Sequence, residues 1–497
     1  MVFNSYIFIL FFGFVLLLHH LPFSWKVKKL NLLLASYLFY ALWNPPFIVL
    51  LWFSTLVDYL VGLALYKEKN AWKRKSLLLV SLVANLGLLG FFKYGGFLLD
   101  NFIQLLSIAG ITYQPPQMDI ILPVGISFYT FQTLSYTLDV YWKKTPPEKS
   151  LLDFSLFVTF FPQLVAGPIV RPDGLIPQFK QPVQATKDQL LWGLFLLSLG
   201  LFMKVGLADG MLAVPADTVF GAKESLVLLD AWMGVLAFSM QIFFDFGGYS
   251  TCAIGVALCL GFTLPDNFRY PYAAIGFSDF WQRWHITLST WLRDYLYIPL
   301  GGNRNGHART YLNLMLTMVL GGLWHGAAWT FVVWGAMHGL FLCVERLLKE
   351  WLHNPSQLRT TAEPALAGNM VSKSSFIPTV KLPKLGVNFS LALLTFFLVN
   401  VTWVFFRAPD FATAGRLLVS MFNLASEGNP VLSYMEILKV SVLTILVLFC
   451  HWYMRNRSLI SIASRNSWWM LTLVLSAMLI LLILTQKSTN SFIYFQF

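Results

Sequence analysis

A stretch without any formal charge, from residue 310 to residue 344, constrains this chain more than any other feature. One straight α-helix of that length would measure about 50 Å, whereas the hydrocarbon core of a membrane is about 30 Å thick. The run is therefore predicted to form two segments or one broken helix, with Gly321, Gly322 and Gly326 at the break. His325 falls at that break, at membrane depth, where irregular backbone is tolerated only inside protein or beside a watered cavity. A titratable side chain in such a place indicates a functional site.

The amino-acid composition places the chain in a membrane. Of its 497 residues 57% are hydrophobic and only 12% are charged, which is more apolar surface than a soluble fold can bury. The formal net charge is +12, but the basic residues lie in loops between apolar runs, as topology signals do. Nucleic acid is therefore not an expected partner. We predict an all-α polytopic membrane protein with about eleven to thirteen transmembrane or re-entrant helices in the lipid bilayer.

The distribution of charge predicts an orientation. Lysines at 26, 28 and 29 follow a first span at 3–20, the next loop at 43–46 is uncharged, and a basic cluster occupies 67–75. This alternation predicts a retained first span, an external N-terminus and cytoplasmic loops at the two basic clusters. Further spans are predicted near 76–92, 96–111, 119–141, 151–169, 188–208, 229–262, 310–345, 387–406, 433–452 and 468–486.

The chain is predicted to be a single membrane domain spanning 1–497, with its motif core at 119–345. Residues 353–385 contain prolines and mixed charge, and they are predicted to form a polar loop or linker. No solenoid period and no low-complexity tract interrupts the apolar segments.

Residues 278–298 have helical periodicity of a different kind, with apolar and polar residues on opposite faces. The apolar face comprises Trp281, Trp284, Leu288, Trp291, Leu292 and Tyr295, and the polar face comprises Arg283, Thr287, Thr290 and Asp294. The pattern predicts a Trp-rich amphipathic helix that lies at the membrane interface or dips into the protein without spanning. His285 projects with the apolar stripe.

His325 and His285 are the candidate catalytic residues, because both are predicted to face surroundings of low dielectric on adjacent elements. A histidine buried in this way stays neutral and is able to accept a proton as a general base. The commoner alternative is a hydrogen-bonded core histidine, and we keep that interpretation for His338. The spacings Gly322-x-x-x-Gly326 and Gly335-x-x-x-Gly339 indicate close helix packing.

Several common catalytic motifs are missing from the sequence. It has no GxSxG elbow, no GxxxxGK[ST] phosphate loop, no HExxH and no dinucleotide fingerprint. The four cysteines lie in apolar segments without a CxxC pair, so neither a disulfide framework nor a metal site is predicted. Serine hydrolysis and ATP-driven transport therefore have no support.

Nearly the whole chain resembles the membrane-bound O-acyltransferase family. The matching stretches are LPVGISFYTFQTLSYTLDVY at 122–141, FFPQLVAGPIVR at 160–171, FFDFGGYS at 243–250, DFWQRWHITLSTWLRDYLYIPLGGNR at 279–304, LTMVLGGLWHGAAWTFVVWGAMHG at 316–339 and WVFFRA at 403–408. The resemblance implies a fold with a central funnel, with His325 of the WHG motif as the catalytic residue and His285 of the RWH motif as its companion. Residues expected to support the site or line the substrate are Trp324, Arg283, Asp294 and Asp245.

The family resemblance also implies a reaction. An acyl group, most simply acetyl, would pass from a thioester such as acetyl-CoA to a hydroxyl, with no bound cofactor and with Trp or Asn N–H groups to stabilise the oxyanion. The implied acceptor is an exopolysaccharide, alginate for example, or a cell-wall glycan, reached through a periplasmic partner protein. The implied location is the bacterial cytoplasmic (inner) membrane. Transfer of D-alanyl or another acyl group is an alternative within the family.

Two polar features have two interpretations each. Asp245 either pairs with a lysine or arginine of another helix or serves a functional site. The basic loop with Arg304, His307 and Arg309, expected beside the site, is either a topology signal or a docking point for the phosphates of the acyl donor.

Buried histidines and Asp245 would also suit a different function, that of a proton-coupled secondary transporter or flippase. A third alternative is a non-catalytic scaffold for an export complex.

Overall fold

The computed structural model describes residues 1–116, 120–352, 385–424, 428–485 and 492, and within these ranges the regular structure is helical, with no β-strand. The α-helices are α1 (Tyr6–His20), α2 (Trp25–Ala41), α3 (Ile48–Lys67), α4 (Ala71–Ile108), α5 (Ile126–Tyr141), α6 (Leu151–Thr159), α7 (Pro172–Lys180), α8 (Lys187–Leu201), α9 (Ala213–Gly221), α10 (Leu228–Cys259), α11 (Phe277–Trp281), α12 (Ile286–Leu292), α13 (His307–His325), α14 (Trp329–Leu352), α15 (Leu385–Arg407), α16 (Phe411–Met421), α17 (Tyr434–Met454), α18 (Leu459–Ala463) and α19 (Trp468–Thr485). Two π-helical segments, Phe202–Leu212 and Arg293–Tyr297, and two 3-10 helices, Pro45–Phe47 and Pro271–Ala273, complete the elements.

Seven helical stretches in the described ranges are long and apolar enough to cross a membrane. They are Pro45–Lys67, Ala71–Ile108, Lys187–Gly221, Leu228–Cys259, Trp329–Leu352, Gly386–Arg407 and Tyr434–Met454. Three shorter apolar helices lie at Tyr6–His20, Phe411–Met421 and Trp468–Leu484. The all-α polytopic class is confirmed. The seven full-length candidates are fewer than the eleven to thirteen predicted segments, a number that also counted re-entrant helices.

Three of the predicted spans are arranged differently in the structure. The pair at 76–92 and 96–111 is one helix, α4, which continues through Lys93. The predicted span at 151–169 is wrong, because α6 has only nine residues and ends at Thr159. The following segment, 160–170, is buried and contains two prolines, which have no N–H to donate to a helix.

Helix α10 is the central element of the fold, and most of its residues are buried. Phe246 belongs to a hydrophobic core built largely from the N-terminal third of the chain, whereas Phe238 belongs to a second core with the C-terminal helices. Helix α8 lies against α10 at small residues. A Cβ atom on Gly200 would lie 2.5 Å from the carbonyl oxygen of Gly248, so only glycine permits this approach.

The uncharged run is broken where predicted. Helix α13 ends at His325, α14 begins at Trp329, and Gly326 between them has extended backbone with φ of −160°. Gly321 and Gly322, which were also assigned to the break, lie inside α13 instead.

The glycines of α13 and α14 bring the two helices together backbone to backbone. A Cβ atom on Gly322 would lie 2.3 Å from the carbonyl oxygen of Phe331, and one on Gly335 would lie 2.3 Å from that of Met318. The close helix packing predicted from the glycine spacing is therefore confirmed.

The prediction of one amphipathic helix over 278–298 is wrong. Helices α11 and α12 are separate, and His285 between them has φ of 42° in the left-handed region. A loop that follows α10 causes the break: the N–H of Arg269 donates to the carbonyl of Arg283, and the N–H of Ile286 donates to the carbonyl of Asn267, both at 2.9 Å. Because these backbone groups form hydrogen bonds with the loop, they are not available for the hydrogen bonds of a continuous helix. Trp284 is fully buried, so the segment is part of the protein interior.

The sequence predicted a polar loop at 353–385 and a cytoplasmic basic cluster at 26–29. The predicted polar loop 353–385 lies outside the described residues, except that α15 begins at Leu385. Lys29, assigned to a cytoplasmic signal, is buried and forms an ion pair with Asp153 of α6. Lys26 is exposed. The orientation of the chain stays a prediction.

Candidate active site

His325 lies in the protein interior among aromatic rings. It is the last residue of α13 and is 3% exposed. Its ring centroid lies 5.0 Å from that of Trp324, 5.1 Å from that of Trp334 and 5.3 Å from that of Phe406. These rings keep bulk water from the imidazole, as predicted for a histidine at a buried helix break.

Two residues of α4 hold the end of α13 in place. The ammonium of Lys93 donates hydrogen bonds to the carbonyl oxygens of Trp324 at 2.8 Å and of His325 at 2.9 Å. The hydroxyl of Tyr94 donates to the carbonyl oxygen of Leu323 at 2.8 Å. The last carbonyls of a helix have no partner within it, and a cation there also complements the helix dipole. Lys93 and Tyr94 therefore determine where the backbone of His325 lies.

Sequence reasoning missed Lys93, although the sequence contains a signal for it. Lys93 is the only charged residue between Lys75 and Asp100. The predicted spans at 76–92 and 96–111 left it between them without a role, whereas an isolated charge in an apolar stretch indicates a functional or structural site. The structure supports the second interpretation.

His285 lies beside His325 and is more deeply buried, with no exposed surface. Its ring centroid lies 6.3 Å from that of His325 and 5.9 Å from that of Trp324. Phe246 contacts the imidazole edge to face, with 4.7 Å between centroids. The structure therefore brings the two histidines predicted as catalytic together, from segments separated in the sequence, inside one aromatic enclosure.

Asn267 is the hydrogen-bonding partner of His285. Its Oδ1 lies 3.1 Å from Nδ1 of His285 and also accepts hydrogen bonds from the hydroxyl and the N–H of Thr287, at 2.9 and 3.3 Å. Its Nδ2 donates to the hydroxyl of Ser250 on α10 at 3.2 Å. Asn267 is 1% exposed. No periodicity or motif in the sequence points to Asn267, since its role depends on a loop that returns beside His285.

Trp324 supplies an N–H group at the same place. The residue is 5% exposed, and within the described part of the chain its indole Nε1 has no hydrogen-bond acceptor. A buried indole N–H normally has a partner, so an unpartnered one beside two histidines is available to a substrate oxygen.

The other polar residues predicted near the site lie in ion pairs. Asp245 of α10 is 2.5 Å from Lys204, so the structural pairing considered for it is confirmed. Arg283 pairs with Asp279 at 2.8 Å, and Asp294 pairs with Arg171 at 2.6 Å. The Asp245–Lys204 and Asp294–Arg171 pairs join separate segments of the chain, whereas Arg283 and Asp279 are only four residues apart.

Arg304 and Arg309 lie towards the opposite end of α13 from His325. Arg309 is in the first turn of α13 and His325 is its last residue, so the helix separates them by about 24 Å. The prediction that the basic loop lies beside the site is wrong, because a continuous helix intervenes.

His338 is buried in α14, where Nε2 lies 3.0 Å from the hydroxyl of Thr402 on α15. The ring of Trp334 lies between it and the site, with centroids 4.7 Å from His338 and 5.1 Å from His325. No group of three His, Cys, Asp or Glu side chains suited to a metal ion occurs among the described residues.

Comparisons with known proteins identify the family of the chain. Residues 146–377 match the membrane-bound O-acyltransferase family. The chain is 39% identical over 457 residues to the probable alginate O-acetylase AlgI of Pseudomonas putida, covering 90% of this chain and 86% of that protein. It is 37% identical over an aligned length of 521 residues to the peptidoglycan O-acetyltransferase of Helicobacter pylori, covering 94% of this chain and 91% of that protein.

A more distant relative has a different printed activity. The teichoic acid D-alanyltransferase of Bacillus subtilis is 28% identical over 255 residues, covering 48% of this chain and 62% of that protein. The two O-acetylating relatives, in contrast, match nearly the full length of the chain. The chain therefore belongs to the membrane-bound O-acyltransferase family and is an O-acyltransferase.

Proposed function

We propose that this O-acyltransferase moves an acetyl group from a thioester donor such as acetyl-CoA to hydroxyls of a cell-surface glycan. The acceptor class follows the two relatives that align with nearly the whole chain, whose names specify alginate and peptidoglycan. One structural observation carries the proposal: His285 and His325 lie 6.3 Å apart, ring to ring, in an enclosure of aromatic side chains.

The two histidines suit proton transfer during attack by a hydroxyl. The acceptor oxygen forms a bond to the thioester carbonyl carbon while its proton passes to an imidazole of the pair. The carbon–sulfur bond then breaks, and the proton passes to the leaving thiolate. Since no covalent enzyme intermediate is needed, the site requires only a base, an oxyanion donor and exclusion of water.

Trp324 supports the oxyanion requirement. Its buried indole N–H, without an acceptor among the described residues, is free to donate to the carbonyl oxygen as negative charge develops there. Lys93 adds positive charge at the same helix end, where its ammonium holds two carbonyl groups. Both groups are in place before substrate binds, so little reorganisation accompanies the reaction.

The donor enters from the side of residues 67–75, where α3 ends and α4 begins. The guanidinium of Arg74 donates to the carbonyl of Tyr141 at 2.5 Å, and the adjacent Trp142 stacks on Tyr295 with 5.8 Å between centroids. Tyr295 leads into the loop with Arg304, so the N-terminal end of α13 lies on this side. With the cytoplasmic orientation predicted for 67–75, a donor thioester reaches in along α13 from the cytoplasm.

The acceptor is then reached from the opposite side of a bacterial inner membrane. A polysaccharide is too large to enter a buried site, so a periplasmic partner protein that receives the acetyl group and passes it on fits this geometry. Arg309, about 24 Å from His325 along α13, and Arg304, which precedes that helix, are exposed and would contact the phosphates of an extended donor.

The test combines a cellular and a purified assay. Mass spectrometry of cell-surface glycans compares wild-type and deletion strains. Purified protein in vesicles receives radiolabelled acetyl-CoA with an oligosaccharide acceptor and a periplasmic extract, which supplies the partner protein. We expect loss of O-acetyl esters in the deletion strain and transfer by the purified protein. His325→Ala serves as the inactive control, and Lys75→Met, an exposed residue of α4, as the active one.

Other results would identify the alternatives. Loss of aminoacyl esters without loss of acetyl esters would indicate D-alanyl transfer. Unchanged acyl content of all surface glycans, together with no transfer by purified protein, would refute the proposal and favour a transporter or a scaffold.

A further inference from the structure

The amide of Asn267 has only one orientation consistent with its surroundings. The backbone N–H of Thr287 is a donor without acceptor capacity, and it contacts the same Asn267 atom as His285 does, at 3.3 Å. That atom is therefore the oxygen. The hydroxyl of Thr287 donates to it at 2.9 Å, and the opposite amide nitrogen donates to Ser250 at 3.2 Å.

This orientation decides the tautomer of His285. An amide oxygen only accepts hydrogen bonds, so Nδ1 of His285, 3.1 Å away, carries the proton. A neutral imidazole with its proton on Nδ1 has its lone pair on Nε2. Within the described part of the chain this Nε2 has no hydrogen-bond partner, although the residue is fully buried.

The backbone conformation of His285 also depends on Asn267. His285 has φ of 42° and ψ of 53°, a left-handed conformation that is uncommon outside glycine. It is held by the bond from the N–H of Ile286 to the carbonyl of Asn267 at 2.9 Å. Asn267 thus anchors both the backbone and the imidazole, and such local strain is typical of functional positions.

We propose that Asn267 is a positioning residue that holds His285 in the Nδ1–H tautomer, and that His285 accepts the proton of the acceptor hydroxyl at Nε2. This inference rests on the proposed acyl transfer and refines it, because sequence reasoning assigned the base to His325. As the new carbon–oxygen bond forms, the hydroxyl proton moves to Nε2, and it leaves with the thiolate when the carbon–sulfur bond breaks. Asn267 loses and gains no proton.

The experiment measures acetyl transfer by full-length variants as a function of substrate concentration and pH. Asn267→Ala removes the acceptor of the Nδ1 proton, so we expect kcat to fall by about 10²-fold with little change in KM. Asn267→Asp keeps an oxygen that accepts from Nδ1 and from Ser250, so it restores most of kcat. Its carboxylate stabilises the protonated imidazole, which moves the acidic limb of the pH–rate profile to higher pH.

A double-mutant comparison separates positioning from general stability. In a His285→Ala background, Asn267→Ala should lower the residual rate no further, because its effect passes through His285. Asn400→Ala is the matched control, since Asn400 is equally buried and donates only to Phe396 of its own helix. It should leave kcat near the wild-type value.

The outcomes distinguish the two proposals. If the wild-type protein transfers no acetyl group, the proposed function fails and this inference fails with it. If the wild type is active and Asn267→Ala has unchanged kcat, only the inference fails. An Asn267→Asp variant with no recovered activity and an unshifted pH profile, or an equal loss on both His285 backgrounds, would also overturn it.

Discussion

Replacement of Lys93 by methionine tests whether a helix-end cation positions the active site. Methionine keeps the apolar stem but removes two hydrogen bonds of 2.8 and 2.9 Å to the carbonyls of Trp324 and His325. A hydrogen bond from a charged group contributes about 1.5–3 kcal/mol, so the pair contributes about 3–6 kcal/mol. Burying an ammonium costs several kcal/mol, which offsets most of this contribution. The net change in unfolding free energy is therefore expected to be small, at most about 2 kcal/mol.

Activity should change far more than stability. Without its cap the last turn of α13 loosens, and a shift of about 1 Å in a catalytic group reduces rate by about 10²-fold. We expect Lys93→Met to lose about 10² in kcat for acetyl transfer while its thermal midpoint in detergent stays within a few degrees of wild type. Lys93→Arg keeps charge and donors and should retain more activity, and exposed Lys75→Met should match wild type.

Either of two results would refute this reasoning. Wild-type kcat in Lys93→Met would mean that the position of His325 does not depend on the cap. A large loss of folded protein in Lys93→Met would mean that the bonds, rather than the desolvation of the ammonium, dominate stability.

Three further expectations follow from the geometry. His325→Ala removes the imidazole that lies 6.3 Å from that of His285, ring to ring, and should abolish detectable transfer with membrane insertion intact. His338→Ala should retain activity because Trp334 separates it from the site, and the rates of the two purified variants decide this. Asp294→Leu leaves Arg171 without its ion-pair partner at 2.6 Å, so it should lower both the thermal midpoint and the rate of transfer. An unchanged thermal midpoint would show that this ion pair does not stabilise the protein. A tag inserted at 67–75 should stay unlabelled in intact cells, and labelling there would reverse the predicted topology.

Much of the architecture is determined by the sequence alone. Apolar content, the uncharged run from 310 to 344 and the glycines at its centre determine a polytopic helical protein with a break at His325. The physical reason is local: a membrane solvates only apolar residues, and glycine permits close helix packing at whichever helix carries it. The same locality explains the misinterpreted stretch at 278–298, where the periodicity is helical but backbone bonds from a distant loop prevent a continuous helix.

The composition of the candidate active site, in contrast, was decided by tertiary structure. Lys93 reaches carbonyls more than two hundred residues away in the chain, and Asn267 reaches His285 through a loop that follows α10. Conversely, Arg309 is near His325 in sequence but about 24 Å from it along α13, and Arg304 lies beyond the start of that helix. Periodicity reports which face of its own element a residue occupies. Which atoms of other elements meet that face depends on how the helices pack, and that packing decides which groups hold His285 and His325.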